Sequence, residues 1–549
     1  MRAIYQFKND YFRKVNWTLL LFLVFALNVK MPVKIATIIL FLFLNKKLFL
    51  ERSFYRQKFI WFYFSLIGIT LINVLLNISS VSVPYLVAVS VGILFWLLCA
   101  GTAFLNSWFV EKTDTEKLHT TITLFFILNA MVTLGQLLLI MLDAGSLNPY
   151  LYQGMHQKYF IGTGDLMTGI TFDVSTTNAI LNAFGIVYFL KRNRMGLVLL
   201  CMVVLLLTAS NFTNVLLLLV LVFLFVFQSN RDQKSIIVVC FFLLIIFMSK
   251  ISPQNDNYVI DAYNKVFKKK VALKAKQKSN ILLTEKPDSL LNAEERKQKK
   301  AMLYLDSLNR IASEIKRKED SLKHPGQEPG SQIQYASKPF IPKPSIHTEP
   351  FQRRRDTTIF QKELLDFAVK AIPAFDTSLK QTKSRKIPGK FIAFQQTYRF
   401  LKDHPMKIFT GSGTGNFSSK LAFRATGLGM AGGYPKKFAY TNHDFLVNHL
   451  NLYLNYFSKD IELHSLVNSP NAVYDQLIAE YGILGVLAFI FLYLAFFIKY
   501  LRKLTYGIPL MLLLLGSFGV EYWFEQLSIV IIFELLMLLN IKETKEQNG

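Results

Sequence analysis

The sequence is poor in the residues that build small extracellular modules and metal centres. Only three cysteines occur among 549 residues, Cys99, Cys201 and Cys240, and all three lie inside apolar runs. They give no zinc spacing and no exposed disulfide framework. There is no Asp-x-Asp pair and no clustered His/Cys set, so no metal and no other cofactor is expected. Acidic residues are few, 36 against 62 Lys and Arg, which leaves a net charge of +26. What abounds is apolar: 52% of residues are hydrophobic, 49 are phenylalanine, and the mean hydropathy is +0.33. A soluble chain holds about 45–50% apolar residues without long apolar runs. The composition excludes a disordered chain, a collagen-like fibre and a disulfide-rich module. Apolar stretches of about 17–25 residues point instead to a polytopic membrane protein.

Twelve segments are candidate membrane helices: 17–29, 35–50, 59–78, 84–110, 118–142, 174–190, 195–209, 211–228, 234–250, 482–500, 504–518 and 522–541. The seventh and eighth are separated by a tight turn near Ala209-Ser210-Asn211. Basic flanks on both sides (Lys191, Arg192, Arg194; Arg231, Lys234) favour two crossings over one broken helix. No small-x-small cleavage site follows the first run, so it is expected to be a retained helix and not a signal peptide. Alternate short connections hold twenty-one Lys and Arg, while those on the opposite side hold only Lys30, Lys34 and Lys158. The positive-inside rule then predicts cytoplasmic termini. The expected fold is an all-α polytopic membrane protein with about 12 transmembrane helices and one large, mostly helical external loop between helices 9 and 10.

The chain divides into helices 1–9 (residues 1–250), a basic insert (251–355), a second hydrophilic part of the loop (356–481), and helices 10–12 with a tail (482–549). Within the insert, Leu305, Leu308 and Ile315 recur at helical spacing, so an amphipathic helix is expected in 289–323. Six prolines over 325–350 read as an extended linker. The insert reads as a solvated spacer; attraction to anionic headgroups is the functional alternative. Residues 356–480 predict amphipathic helices at 357–372 and 389–403. Then follow Asp403-His404-Pro405 and Gly411-Ser412-Gly413-Thr414-Gly415-Asn416-Phe417. Glycines at alternate positions (Gly411, Gly413, Gly415) permit unusual backbone angles and close approach of a ligand. No clear strand precedes them, which excludes a Rossmann turn. Glu534, in the last apolar run, is a candidate intramembrane acid.

Four places carry a likeness to a known family. The run Asn471 to Gly485, with Gln476, Glu480 and Gly482, is similar to a signature of the form His-Asn, x, Tyr-Leu-Gln, Leu, Ala-Glu-x-Gly-Ile-x-Gly. Asp403 to Phe417 is similar to a glycine-rich stretch that opens a catalytic loop. Gly169 to Asp173 with Asn178, and Leu207 to Asn211, are similar to two further segments. Through these the chain resembles the O-antigen ligase and O-antigen polymerase superfamily of bacterial membrane glycosyltransferases. Pro470 stands where that family has its signature histidine, Asn211 stands where it has an arginine, and near residues 160–170 only Lys158 is basic.

The resemblance implies a metal-independent transferase in the bacterial inner membrane. Its donor would be a glycan on undecaprenyl diphosphate, its acceptor a hydroxyl of lipid A-core or a related lipid, or of a protein. Membrane lipids are the other partners, and the external placement argues against nucleic acid. Such chemistry needs cations for the leaving diphosphate, assigned to Arg424, Lys436 and Lys437. It also needs a proton acceptor, assigned to His464 with His443 and His449 as competitors. His404 is expected to orient the glycine loop, and Asn471 and Glu480 to fix the loop-to-helix junction. A repeat-unit polymerase or a protein O-oligosaccharyltransferase are close alternatives. A non-catalytic lipid-glycan flippase, or an assembly protein docking through the insert, are more distant ones.

Overall fold

The computed structural model describes residues 14–45, 57–76, 82–144, 147–152, 163–252, 388–426, 433–456, 466 and 468–548. Among these there are helices and turns but no strand. The insert helix, the proline-rich linker, the 357–372 helix and His464 lie outside the described residues.

Among the described residues, nine α-helices precede the insert: α1 Trp17–Ala26, α2 Met31–Leu44, α3 Lys58–Leu76, α4 Val83–Lys112, α5 Thr115–Ala144, α6 Ser175–Lys191, α7 Met195–Leu207, α8 Asn211–Phe227 and α9 Arg231–Ile246. The starts follow local chemistry. The Asn16 side chain caps α1 and Ser82 caps α4, while Asn230 and Gln233 form a reciprocal capping box on α9. After the insert come α10 Gly389–Asp403, α11 Lys420–Ala425, α12 His443–Asn448, α13 Leu450–Tyr456, α14 Val473–Ala488, α15 Gly507–Ser517 and α16 Ser528–Asn548.

Among the described residues, five helices are long and apolar enough to cross a membrane: Lys58–Leu76, Val83–Lys112, Thr115–Leu142, Arg231–Ile251 and Val473–Ile498. Shorter apolar helices, α1, α2, α7, α8 and α15, accompany them. The centre is built by α6 and α16. Every residue of α6 from Ser175 to Leu190 is buried, as is every residue of α16 from Ser528 to Ile541. A helix apolar on all sides belongs inside a bundle. The outer helices do the reverse. Phe43 is 71% exposed, Leu142 71% and Phe227 73%, a surface that only hydrocarbon can cover at low cost.

Hydrogen bonds sort the connections into two ends. At one end, Asn16 Nδ2 donates to Thr113 Oγ1 (2.8 Å), Lys542 Nζ to Thr113 O (2.6 Å) and Arg192 Nη1 to Glu543 (3.0 Å). Lys191 Nζ donates to Gln228 O, and Gln233 Nε2 to Leu190 O (3.1 Å). Because α8 ends beside the turn from which α7 starts, α7 and α8 run in opposite directions. The turn between them contains Ala209 at φ 50°. At the other end Val29 N donates to Thr171 O (2.8 Å), Ser528 Oγ to Leu27 O (3.2 Å) and Asn73 Nδ2 to Thr410 O (2.7 Å). The described hydrophilic residues 388–472 sit at this second end.

Several boundaries differ from the sequence expectation, among them the start of α2 at Met31 and not at residue 35. The tenth apolar helix begins at Val473, nine residues before 482, because the polar motif is itself helical and is bent at Gly482 (φ 64°). The last is split at Leu527 (φ 66°) into a short turn, Trp523–Gln526, and α16.

Candidate functional site

The glycine loop and the first two turns of α14 form one interlocked unit. Gly411, Gly413 and Gly415 have φ of 76°, 92° and 75°, angles that only glycine adopts without strain. The path turns successive backbone N–H groups inward onto one buried carboxylate. Glu480 Oε2 accepts from Gly415 N (2.9 Å), and Oε1 accepts from Phe417, Ser418 and Ser419 N (3.1, 3.1 and 3.0 Å). Ser412 N and Gly413 N donate to the α14 carbonyls of Ala479 (2.8 Å) and Glu480 (3.1 Å). The close approach that glycine permits is taken here by the chain's own α14. A β-carbon at Gly482 would sit 2.6 Å from Gly411 N and Ile408 O.

Around this lock runs a second layer of buried polar pairs. Asp475 accepts from Thr397 Oγ1 (2.7 Å) and lies 2.9 Å from His449 Nε2. Phe417 is wedged between Phe400 (4.4 Å between ring centres) and the His449 ring (4.8 Å). Asn471 Nδ2 donates to Glu521 Oε1 (2.8 Å), while its carbonyl accepts from Lys390 Nζ. Burial pushes the Lys390 ammonium down to about 8, against the pull of Glu521 and Asp475. Gln476 Nε2 lies 2.6 Å from Glu525 Oε1. Both residues line a cavity of about 10 Å³, the size of one water, with Trp96, Thr414 and Tyr481. Glu525 Oε2 and Gln476 Oε1 are buried there without a hydrogen-bond partner among the described residues.

Lys34, Lys420 and Arg424 add cations to this end. Lys34, buried on α2, donates to Gln526 O and to Ser528 Oγ (3.1 Å). Lys420, half-buried at the start of α11, stands 3.9 Å from Glu521. Arg424 is half-buried one turn later. Lys34 feels the charges of Lys420, Arg424 and Asp173, and Glu525 feels those of Lys420 and Arg424. The arrangement sets cations beside carboxylates at the edge of an apolar bundle. It can hold an anion and offer a carboxylate oxygen to a nearby proton.

The residues singled out from the sequence fall in different places. Arg424, Asn471, Gln476, Glu480, Gly482 and the three loop glycines belong to the interlocked region. Gly485 is buried on α14. Lys437 is exposed, with its ammonium 4.6 Å over the Phe438 ring. Lys436 lies in the same short turn, and its side chain is outside the described residues. His443 is exposed at the start of α12. His449 is fully buried and bonded to Asp475, so it braces the interior. His404 Nδ1 lies 3.0 Å from Phe400 O, at the end of α10. Glu534 is buried and accepts from Tyr63 OH. Sequence reasoning passed over Lys34, Lys390, Lys420, Asp475, Glu521 and Glu525. Lys34 carried the one usable signal: a basic residue directly abutting an apolar run.

Among the described residues no group of three His, Cys, Asp or Glu side chains is placed to hold a metal ion. Compared with known proteins, the chain matches no family model, no curated protein and no solved structure.

Proposed function

We propose that this chain is an O-antigen ligase-like membrane glycosyltransferase, moving a glycan from an undecaprenyl-diphosphate carrier to an acceptor hydroxyl. We read the Lys/Arg-rich end as cytoplasmic and the end bearing residues 388–472 as external, with the shorter apolar helices completing twelve crossings of the bacterial inner membrane. The supporting observation is the grouping of Lys34, Lys420 and Arg424 with Glu521 and Glu525 beside the loop that Glu480 locks down. In the reaction, the acceptor oxygen attacks the anomeric carbon, and the bond from that carbon to the phosphate oxygen breaks. The diphosphate leaves with the electron pair, and Lys420 and Arg424 offset its charge. The acceptor's proton passes to a base, assigned from the sequence to His464, with Glu525, whose Oε2 has no hydrogen-bond partner among the described residues, as the carboxylate beside the cations.

The test joins genetics to a purified assay. Deleting the gene is expected to remove capped long-chain glycolipid and to leave polymer on its lipid carrier. Single-repeat products would indicate a polymerase, and under-glycosylated proteins a protein-directed transferase. Lys420→Gln with Arg424→Gln is expected to cut transfer from a purified lipid-diphosphate donor by about 100-fold or more. Unchanged transfer would refute the assignment.

The helix breaks at Gly482 and Leu527, together with buried Glu534, favour a second reading as a lipid-glycan transporter. Under that reading the purified protein forms no glycosidic bond, and the deletion strands donor on the cytoplasmic face.

A further inference from the structure

At the end of the bundle opposite the glycine loop, an open cleft of about 440 Å³ lies between the end of α8 and the first two turns of α9. Its walls are Phe225 and Ser229 on one side and Arg231, Lys234, Ser235 and Val238 on the other. The second set has the spacing i, i+3, i+4, i+7, one stripe of a helix. We propose that this cleft binds the phosphate headgroup of an anionic membrane phospholipid.

The wall chemistry fits that ligand. Arg231 and Lys234 supply two positive charges, and Lys234 Nζ stands 5.3 Å over the Phe225 ring, so the ammonium is held across the cleft. Ser229 Oγ is buried and has no hydrogen-bond partner among the described residues, so its proton is free for a phosphate oxygen. Ser235 Oγ already donates to Arg231 O (3.1 Å) and steadies that turn. The one acid on the turn, Asp232, is exposed and does not line the cleft. The floor is tied down where Lys191 Nζ donates to Gln228 O and Gln233 Nε2 to Asn193 Oδ1 (2.9 Å).

The flanks favour a lipid over a free anion. Val226 (58% exposed) and Phe242 (61% exposed) present apolar surface on the two helices next to the cleft. A headgroup seated on the cations would lay its acyl chains along that surface. Basic hollows between helices at a membrane face suit anionic headgroups for this reason. The proposal needs the chain to sit in a bilayer and does not depend on glycan transfer.

The test is thermal unfolding of the purified full-length protein in mild detergent, with phosphatidylglycerol, phosphatidylcholine or inorganic phosphate added. Phosphatidylglycerol is expected to raise the midpoint by about 3 °C, while the other two leave it unchanged. Arg231→Gln with Lys234→Gln is expected to abolish the shift, because each cation is worth about five-fold in affinity and the pair about thirty-fold. Ser229→Leu, which fills the cleft without altering charge, is expected to abolish it as well. Lys499→Gln with Lys503→Gln, at the same end but outside the cleft, is expected to keep it. The proposal is overturned if the Arg231/Lys234 variant retains the shift or if the Lys499/Lys503 variant loses it equally. A matching shift from inorganic phosphate alone, or from phosphatidylcholine, would overturn it too.

Discussion

Replacing Glu480 isolates the contribution of the lock between the glycine loop and α14. In Glu480→Ala, four buried backbone N–H groups, those of Gly415, Phe417, Ser418 and Ser419, lose their acceptor together. An orphaned buried donor costs about 1–3 kcal/mol. Taking the low end for each, the variant should lose about 4 kcal/mol. Glu480→Gln keeps one oxygen for the three donors on Oε1, but it sets an NH2 against Gly415 N and removes the charge that strengthens the other bonds. A loss of about 2 kcal/mol is expected. Trp96 donates to Tyr481 OH (2.7 Å), next to the lock, so its emission reports on this region during chemical denaturation in mild detergent. Proteolysis between 411 and 419 should rise in the same order, wild type, Gln, Ala. A Glu480→Ala protein within about 0.5 kcal/mol of wild type would refute the reasoning, since that is the size of an ordinary surface change. So would a Gln variant less stable than the Ala variant.

Three further outcomes follow from the same region. Gly482→Ala forces a β-carbon against Gly411 N and Ile408 O at a positive φ, and should lower the unfolding midpoint and the yield of folded protein more than Gly68→Ala, where nothing lies within 4 Å. Lys390 is pushed from its ordinary 10.5 to about 8 by burial. Between those values the unfolded chain holds a proton that the folded one has released, so wild-type stability should gain with rising pH across that window relative to Lys390→Met. A parallel pH dependence in the two proteins would contradict the burial of this amine. His449→Phe removes the partner of buried Asp475, and it should cost about 3 kcal/mol in the same denaturation assay while leaving the exposed His443 irrelevant to that loss.

Much of the helical frame was legible in the sequence because hydropathy is a local property. The 389–403 helix appears as Gly389–Asp403, and the turn at Ala209 separates α7 from α8. What escaped was set by partners far along the chain. Lys34 looked like a loop residue, and the second helix was begun after it. It is instead buried on α2, because the Gln526 carbonyl and Ser528 accept its protons. The glycine run advertised its backbone freedom but not what approaches it, since Glu480 lies more than sixty residues away. Leu527 broke the last helix without a glycine or proline to announce it, and nothing local marks Glu521 or Glu525 as neighbours of Lys420.

The bond from Lys34 to the turn before α16 has a consequence for biosynthesis. Helix α2 carries an ammonium whose acceptors are made 492 and 494 residues later. Until those residues arrive, that amine lacks its final partners within an apolar assembly, so closure of this end of the bundle waits until residues 526–528 have been made. A premature stop anywhere before residue 526 therefore deletes more than α16. It strands a charge near the start of the chain, and such products should be cleared by membrane quality control and not accumulate as shortened, partly active forms.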